Sequence, residues 1–334
     1  MIAKKGYKVL VIEEHKEIGK PVECTGLVSW RIKNFVTDLP RSIIVNKINV
    51  AKIFSHDKSC LTITSEKPMF VINREEFDKF LARKATENGA SIMLSTKFLK
   101  FKRCNKHVKV ETNKGEFEAK ILVGADGSNS RVARLAKLEQ PTNTLYALQT
   151  KVKGEFDKNS VELWFGKNLT PDFFGWVVPE NESIARAGIA SKERVKNKFY
   201  KFLKSRFGKV RKPEVSGTIR YGLIKSSVSN NLLLVGDAAC QVKPFSGGGI
   251  VYGLIGSLYA GIACVKALRS DDFSEDFLKK AYEEEWKKEL RWPIMKGLFL
   301  SGLVHGMPDW FLDIMISFGD VIKPIFSFID VDFL

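Results

Sequence analysis

Cysteine is scarce in this chain and histidine scarcer, with five Cys and four His among 334 residues. The cysteines (Cys24, Cys60, Cys104, Cys240, Cys264) are odd in number and no two stand in a CxxC arrangement, while His15, His56, His107 and His305 form no motif. Neither a metal centre nor a disulfide framework is therefore expected, and a reducing, intracellular setting is the default. The N-terminus carries Lys4 and Lys5 but no apolar core with a cleavage site, so no secretory leader is read there. Long uncharged runs are also rare. The exception, Gly247 to Val265, has 19 residues without a charge, long enough to cross a bilayer. It holds six glycines and follows directly on a strand and turn, and a helix buried within an α/β domain accounts for both features. No internal repeat or low-complexity tract is present.

Positive charge, by contrast, is abundant: Lys and Arg total 54 against 38 Asp and Glu, a net +16. Such a surplus points to an anionic partner (nucleic acid, an acidic membrane surface or a phosphorylated ligand) or simply to a solvated cationic surface. The 44% hydrophobic and 28% charged content is that of a folded protein, and the length allows one large domain or two smaller ones.

Hydrophobic periodicity then organises the chain. Residues 7–12, YKVLVI, read as a buried-type strand with Glu13 at its tip, preceded by MIAKKG, the last turn of a helix closed by Gly6. That order is the second half of a βαβ dinucleotide unit, whose acid binds ribose and whose GxGxxG turn lies ~20 residues upstream of the acid. Counted back from Glu13, the turn falls before Met1, so the chain is expected to lack the first strand and the glycine turn. Alternating runs from about 40 to 71 predict antiparallel strands. Residues 73–88 predict a helix with Asn73 as N-cap and Phe77, Phe80, Leu81 and Ala85 on its inner face. Strands are expected at 91–99 and 107–112, with a hairpin turn at Lys114-Gly115, and again at 120–125, 145–190, 215–224 and 231–235. A charged helix near 274–291 and an apolar region from Pro293 to Leu334 close the chain.

Three segments share one feature: a strand ends, the chain turns on small residues, and backbone N–H groups face outwards. They are KPVECTGLVS at 20–29, GADGSNSR at 124–131 and GDAACQVKPFSGGGI at 236–250. Asp126 suits backbone or ribose hydroxyl groups, Asp237 suits a ribityl hydroxyl, and Gly247 to Gly249 open a helix whose positive N-terminus suits an electron-rich group. Singly, each is an ordinary strand-to-helix turn; together, in this order, they are a much sharper signal.

That order (strand acid, arginine-led helix, GADGxxS, GDAAxxxxPxxGGG) resembles the flavoprotein hydroxylase-like group, which binds FAD in extended form. Within it, KPVECTGLVS, INREEFDKFLARKA at 72–85 and PDFFGWVVP at 171–179 resemble the archaeal geranylgeranyl reductases. The family's sheet motif P-x-x-Y-x-W-x-F-P is kept at Pro171, Trp176 and Pro179, with Phe174 and Val178 replacing Tyr and Phe. The resemblance implies an α/β fold with an α+β insertion. The FAD-binding domain would comprise 1–39, 72–140 and 230–272, the antiparallel-sheet substrate domain 40–71 and 141–229, and a C-terminal helical region 273–334.

By the same resemblance Glu13 takes the ribose acid position, and Cys24, Thr25 and Gly26 line the flavin. Arg74 reaches the cofactor's polar middle, Phe98 makes a backbone contact to the adenine half, Asp237 takes the FAD aspartate position, and Gly249 and Ile250 lie at the flavin end. The loop around Cys24 is one residue shorter than in some members, which bears most on Gly26. The implied activity is FAD-dependent reduction of the isoprenoid double bonds of digeranylgeranylglycerophospholipids. A hydride goes to one alkene carbon, and a proton from Cys24 or a water near the flavin goes to the other. Phe174 and Trp176 would line the polyprenyl pocket. The implied partners are the lipid substrate, an anionic membrane surface and an external electron donor, with no nucleic acid, and the implied setting is cytoplasmic and peripheral to the membrane.

Plainer readings stand beside these. Cys24 also suits a small buried hydrophobe, Arg74 a surface charge at a helix start, and Trp176 an ordinary core residue of a sheet. At the level of function the rivals are a flavin monooxygenase or halogenase on the same scaffold, and a non-catalytic remnant that binds lipid.

Overall fold

The computed structural model describes residues 1–319 except 168. Its largest element is an eight-stranded sheet, in the order Val215–Arg220, Thr144–Lys153, Ile184–Ser191, Thr170–Pro179, Ser160–Gly166, Ile44–Phe54, Cys60–Ile72 and Leu27–Ser29. Every neighbouring pair is antiparallel except Ser160–Gly166 beside Ile44–Phe54, which runs parallel. Parallel neighbours need a long crossover, and here the chain between the two strands passes through the nucleotide-type strands and turns, so a purely antiparallel sheet is not what forms. One face of this sheet is covered by the Val195–Phe207 helix, with Phe199, Phe202 and Leu203 packed on Val152, Trp164, Val177 and Ile189. The other face carries an aromatic cluster of Phe165, Phe173, Phe174, Trp176 and Tyr221, on which Val242 and Phe245 of the glycine-rich segment also pack.

The remaining strands form small sheets. Leu10–Ile12 pairs in parallel with Ser91–Met93, and Leu122–Gly124 pairs in parallel with Leu232–Leu234, each leading to one of the candidate turns or to Glu13. A three-stranded meander follows Phe98–Cys104, His107–Thr112 and Gly115–Ala119. The predicted strand at 7–12 is shorter than its hydrophobic run: only Leu10–Ile12 is paired, and the 3-10 turn Ala3–Lys5 ahead of it ends at Gly6 in the left-handed region.

Two helices position the site. Arg74–Glu87 starts where Asn73 caps it, its side chain accepting the Glu76 N–H, as the spacing predicts. Ile250–Ser270, the uncharged run, is a core helix burying Val251, Tyr252, Ile255, Ala260, Ala263 and Cys264 against the strands at 122–124 and 232–234 and the C-terminal helices. The charged helix expected near 274–291 and the apolar region from Pro293 are joined rather than separate. After a short helix Glu275–Leu278 and a π-helical turn Lys279–Glu283, the helix Glu284–Gly306 runs through Pro293. Burial of Trp286, Leu290 and Ile294 on one side of it offsets the lost hydrogen bond of an interior proline. A further helix, Asp309–Ser317, follows; the expectations for 320–334 fall outside the described residues.

Candidate active site

The Gly236 turn is built from below. Tyr282, fully buried, donates its hydroxyl to the Leu234 carbonyl at 2.5 Å and accepts from Gln241 Nε2 at 3.0 Å, while Gln241 Oε1 accepts the Gly236 N–H at 2.7 Å. A Cβ on Gly256 would lie 1.9 Å from Gln241 Oε1, so the glycine in the core helix is what lets the turn sit down on it. The result presents Asp237 towards Gly249, where an added Cβ would come within 2.7 Å of Asp237 Oδ1. Burial pushes the Asp237 carboxyl above its ordinary range, and the Arg74 guanidinium pulls against that.

Arg74 reaches the same place from the head of its helix. Only 23% of its side chain is exposed, and Nη2 donates to both Asp78 oxygens at 3.2 Å. Burial works against its charge, yet the adjacent Cys24 and Asp78 outweigh it and hold the guanidinium firmly protonated. Cys24, part-buried, accepts the Gly26 N–H on Sγ at 3.2 Å. The structure thus brings Cys24, Arg74, Asp237 and the Gly249–Ile250 helix start together.

The loop that carries Cys24 is clamped to the large sheet by two residues the sequence did not single out. Arg186, 8% exposed, donates through Nη1 to the carbonyls of Thr25 and, at 3.2 Å, Ile72, and through Nε to Glu180 at 2.7 Å. Gln149 Oε1 accepts both the Thr25 hydroxyl at 2.7 Å and the Trp176 indole N–H at 3.0 Å. Gly26 has φ +75°, and a Cβ there would lie 2.5 Å from the Ile72 carbonyl and 2.7 Å from Arg186 Nη1. The one sequence signal for Arg186 is a lone charge inside the otherwise uncharged strand IARAGIA; the two carbonyls it holds are 114 and 161 positions away.

Phe174 and Trp176 sit on the aromatic face, 7% and 8% exposed. Phe174 stacks on Phe173 with centroids 4.1 Å apart and meets Trp176 edge-on at 6.4 Å. Trp176 rests on Gly188, whose added Cβ would be 2.4 Å from the indole. A Cβ on Gly247, itself at φ +68°, would lie 3.3 Å from Phe173, so the aromatic wall abuts the glycine turn directly.

Other sequence-predicted residues make their contacts elsewhere. Glu13 ends its strand and accepts the N–H of His15 at 2.8 Å and pairs with His15 Nδ1 at 2.7 Å. Phe98 opens the meander and packs with Phe101 on the core around Val132 and Leu234. Asp126 takes the backbone role, one of the two its position suits: its carboxylate accepts Ser130 Oγ at 2.6 Å and the N–H groups of Arg131 and Val132 at 2.7 and 3.0 Å at the start of the Arg131–Leu135 helix.

The arrangement fits an FAD group. Arg74 Nε is buried with no hydrogen-bond partner, a donor suited to a polar cofactor atom. The Ile250–Ser270 helix opens at Gly249 against Asp237, so its N-terminal N–H groups suit an electron-rich part of the cofactor.

Comparison with known proteins agrees. The family model of the FAD binding domain matches residues 46–285. A digeranylgeranylglycerophospholipid reductase of Methanocaldococcus jannaschii is 30% identical, the match covering 93% of this chain and 84% of the relative. Another, of Methanococcoides burtonii, is 29% identical over 96% and 83%. Among solved structures, a geranylgeranyl bacteriochlorophyll reductase-like protein of Thermoplasma acidophilum superposes with TM-score 0.90 at 26% identity, covering 99% of this chain and 89% of that one. A flavin-dependent brominase shares the fold alone, with TM-score 0.72 at 16% identity over 97% of this chain and 87% of that one. The cofactor is FAD, and the chain belongs to the FAD-binding digeranylgeranylglycerophospholipid reductase family.

Proposed function

We propose that the protein reduces the isoprenoid double bonds of geranylgeranyl chains in digeranylgeranylglycerophospholipids, a step of archaeal membrane lipid biosynthesis. It would work at the cytoplasmic side of an anionic membrane and draw electrons from an external donor. Reduced FAD supplies a hydride when bound. The chain's own residues do the rest. Asp237, Arg74 and the Gly249–Ile250 helix start hold the polar and flavin parts of the cofactor, with Glu13 and the Phe98 backbone serving its ribose and adenine half. The loop of Cys24, Thr25 and Gly26 lines the ring.

An isolated alkene offers no oxygen to stabilise as an anion, so the proton must arrive closely with the hydride. Cys24 Sγ is the protein candidate for that donor, with a water near the flavin as its equal rival. Cys240, in the same motif as Asp237, is fully buried and burial pushes its thiol up to about 12, which makes it the weaker acid. Phe174, Trp176 and their aromatic neighbours give an apolar wall that excludes water and seats a polyprenyl chain.

The observation that carries this reading is the Thr25–Gln149–Trp176 relay. A single amide oxygen ties the cofactor loop to the aromatic wall, so an alkene on that wall would lie beside the flavin loop. The test is product analysis: reduced, FAD-loaded protein incubated anaerobically with digeranylgeranylglycerophospholipid should yield chains carrying two added hydrogens per reduced double bond. Unchanged lipid together with oxygen-dependent hydroxylation or halogenation of an aromatic compound would replace the reductase by a monooxygenase or halogenase.

A further inference from the structure

The Glu284–Gly306 helix has two apolar stripes where a surface helix has one. Its inward stripe is Trp286, Leu290, Ile294, Gly297 and Ser301, all buried. On the far side stand Trp292, Met295, Phe299 and Leu303, which are 76%, 43%, 69% and 46% exposed. At 3.6 residues per turn the two stripes are roughly 180° apart, so the outer one faces straight into solvent. The Asp309–Ser317 helix continues it with Trp310, Ile314 and, at its end, Phe318, 63%, 47% and 65% exposed. Scattered apolar residues would mean nothing; an exposed apolar stripe on each of two successive helices marks a surface that is covered when the protein works.

Charge around the face says what covers it. No acid occurs between Arg291 and Pro308, while Arg291 and Lys296 flank the stripe and are exposed. The two acids of the second helix are turned inward: Asp309 accepts the Lys167 N–H at 2.9 Å and Asp313 the Asp57 N–H at 3.4 Å. Those same contacts bring the exposed Lys167, and Lys58 beside Asp57, against the outer helix. An apolar centre containing two tryptophans, bordered by Arg291, Lys296, Lys58 and Lys167 with Asp57 and Glu289 as the exposed acids near its edges, is the pattern of a helix pair lying in a membrane interface. The aromatic residues enter the acyl boundary and Lys and Arg meet anionic headgroups.

We infer that the outer face of the Glu284–Gly306 and Asp309–Ser317 helices is the surface by which this protein inserts into an anionic lipid bilayer. The inference rests on the lipid-substrate reading above for its purpose and adds the orientation. The inner side of the same helix packs Leu298 and Val304 on the aromatic cluster, and His305 stacks on Phe165 and Phe173 at 6.0 and 6.5 Å. One helix diameter, about 10 Å, therefore separates the bilayer from the aromatic wall.

The test uses the full, FAD-loaded chain and vesicles of phosphatidylcholine with or without phosphatidylglycerol. Wild type is expected to sediment with the anionic vesicles and to be partly released by salt. The W292D/F299D variant is expected to lose at least about tenfold in partition, since each large apolar side chain carries about that factor on burial. V210D, altering another exposed apolar residue away from these helices, serves as the control and should bind as wild type. Flavin content and melting temperature verify folding, and W310D repeats the experiment on the second helix should W292D/F299D lose flavin. Vesicle binding by a flavin-replete W292D/F299D equal to wild type overturns the inference. So does a wild-type dimer that ignores vesicles and is made monomeric by the same changes, since the face would then bind a second copy. Reduction of the lipid dispersed in detergent should survive in W292D/F299D. If no form reduces lipid while vesicle binding still depends on this face, the substrate reading fails and the surface stands.

Discussion

Arg186→Met is the perturbation that most sharply probes how the cofactor loop is held. The guanidinium is nearly inaccessible, makes an ion pair with Glu180 at 2.7 Å, and satisfies the Thr25 and Ile72 carbonyls. A methionine fills much of the volume but leaves two carbonyls without a donor and Glu180 with Lys151 alone, at 2.9 Å. Removing one partner of a buried pair costs about 3–5 kcal/mol. Lys151 is 57% exposed and keeps part of the compensation, so about 3 kcal/mol is expected here.

The pH dependence gives the account a second handle. Burial alone would raise the Glu180 carboxyl, but Lys151 and Arg186 outweigh it and hold it below its ordinary value. A depressed carboxylate contributes stability above its unfolded pKa and loses it as pH falls through the folded one. The deficit of R186M should therefore be full at neutral pH and shrink below about pH 4.5. Chemical denaturation at pH 7 and pH 4, with flavin absorbance per protein as the loop's own reporter, measures both. An R186M protein with wild-type stability and flavin content at pH 7 would refute the clamp. A deficit that does not change with pH would refute the ion-pair part of it.

Other consequences are as specific. Gly26→Ala must carry a left-handed backbone and a methyl 2.5 Å from the Ile72 carbonyl, so it should lose at least about 1–2 kcal/mol and most of its flavin, read as the absorbance ratio on purification. Asp237→Asn should act with opposite signs: the FAD-free protein, relieved of a poorly solvated carboxylate, melts no lower than wild type, while FAD affinity falls about 10- to 150-fold by titration. His305 is buried at Nε2 without a partner and its imidazole is pushed down to about 4. The unfolded chain takes that proton first, so stability drains away as pH falls from about 6.5 towards 4; His305→Phe should flatten this slope and match or exceed wild-type stability at pH 5.

What the sequence discloses is what is encoded locally. The Asn73 cap, the GDAA and GGG turns and the aromatic strand at 170–179 depend on residues within a few positions of each other, and they appear where the patterns put them. The FAD-type α/β fold was legible because three such turns occur in fixed order. The clamps were not. Arg186 and Gln149 act on Thr25 over separations of 161 and 124 residues, and no periodicity connects them. For Asp126 the sequence left backbone and ribose open, because a carboxylate after a strand looks the same whether it awaits a ligand or holds the next helix start; the structure shows the backbone bonds. That one helix runs through Pro293 was not legible, because packing, which offsets an interior proline, is tertiary. The outward apolar stripe was visible as apolar content, but its side of the helix was not.

The central claim is that the aromatic wall presents an isolated alkene to the flavin loop, and anaerobic reoxidation tests it most directly. FAD bound to the protein is reduced, excess reductant is removed, and lipid of one headgroup is added with either geranylgeranyl or fully saturated phytanyl chains. The flavin absorbance should return with one equivalent of double bond consumed per flavin for the unsaturated lipid and stay bleached for the saturated one, which has no acceptor for the hydride. Equal reoxidation by both lipids, or by neither, would contradict the account.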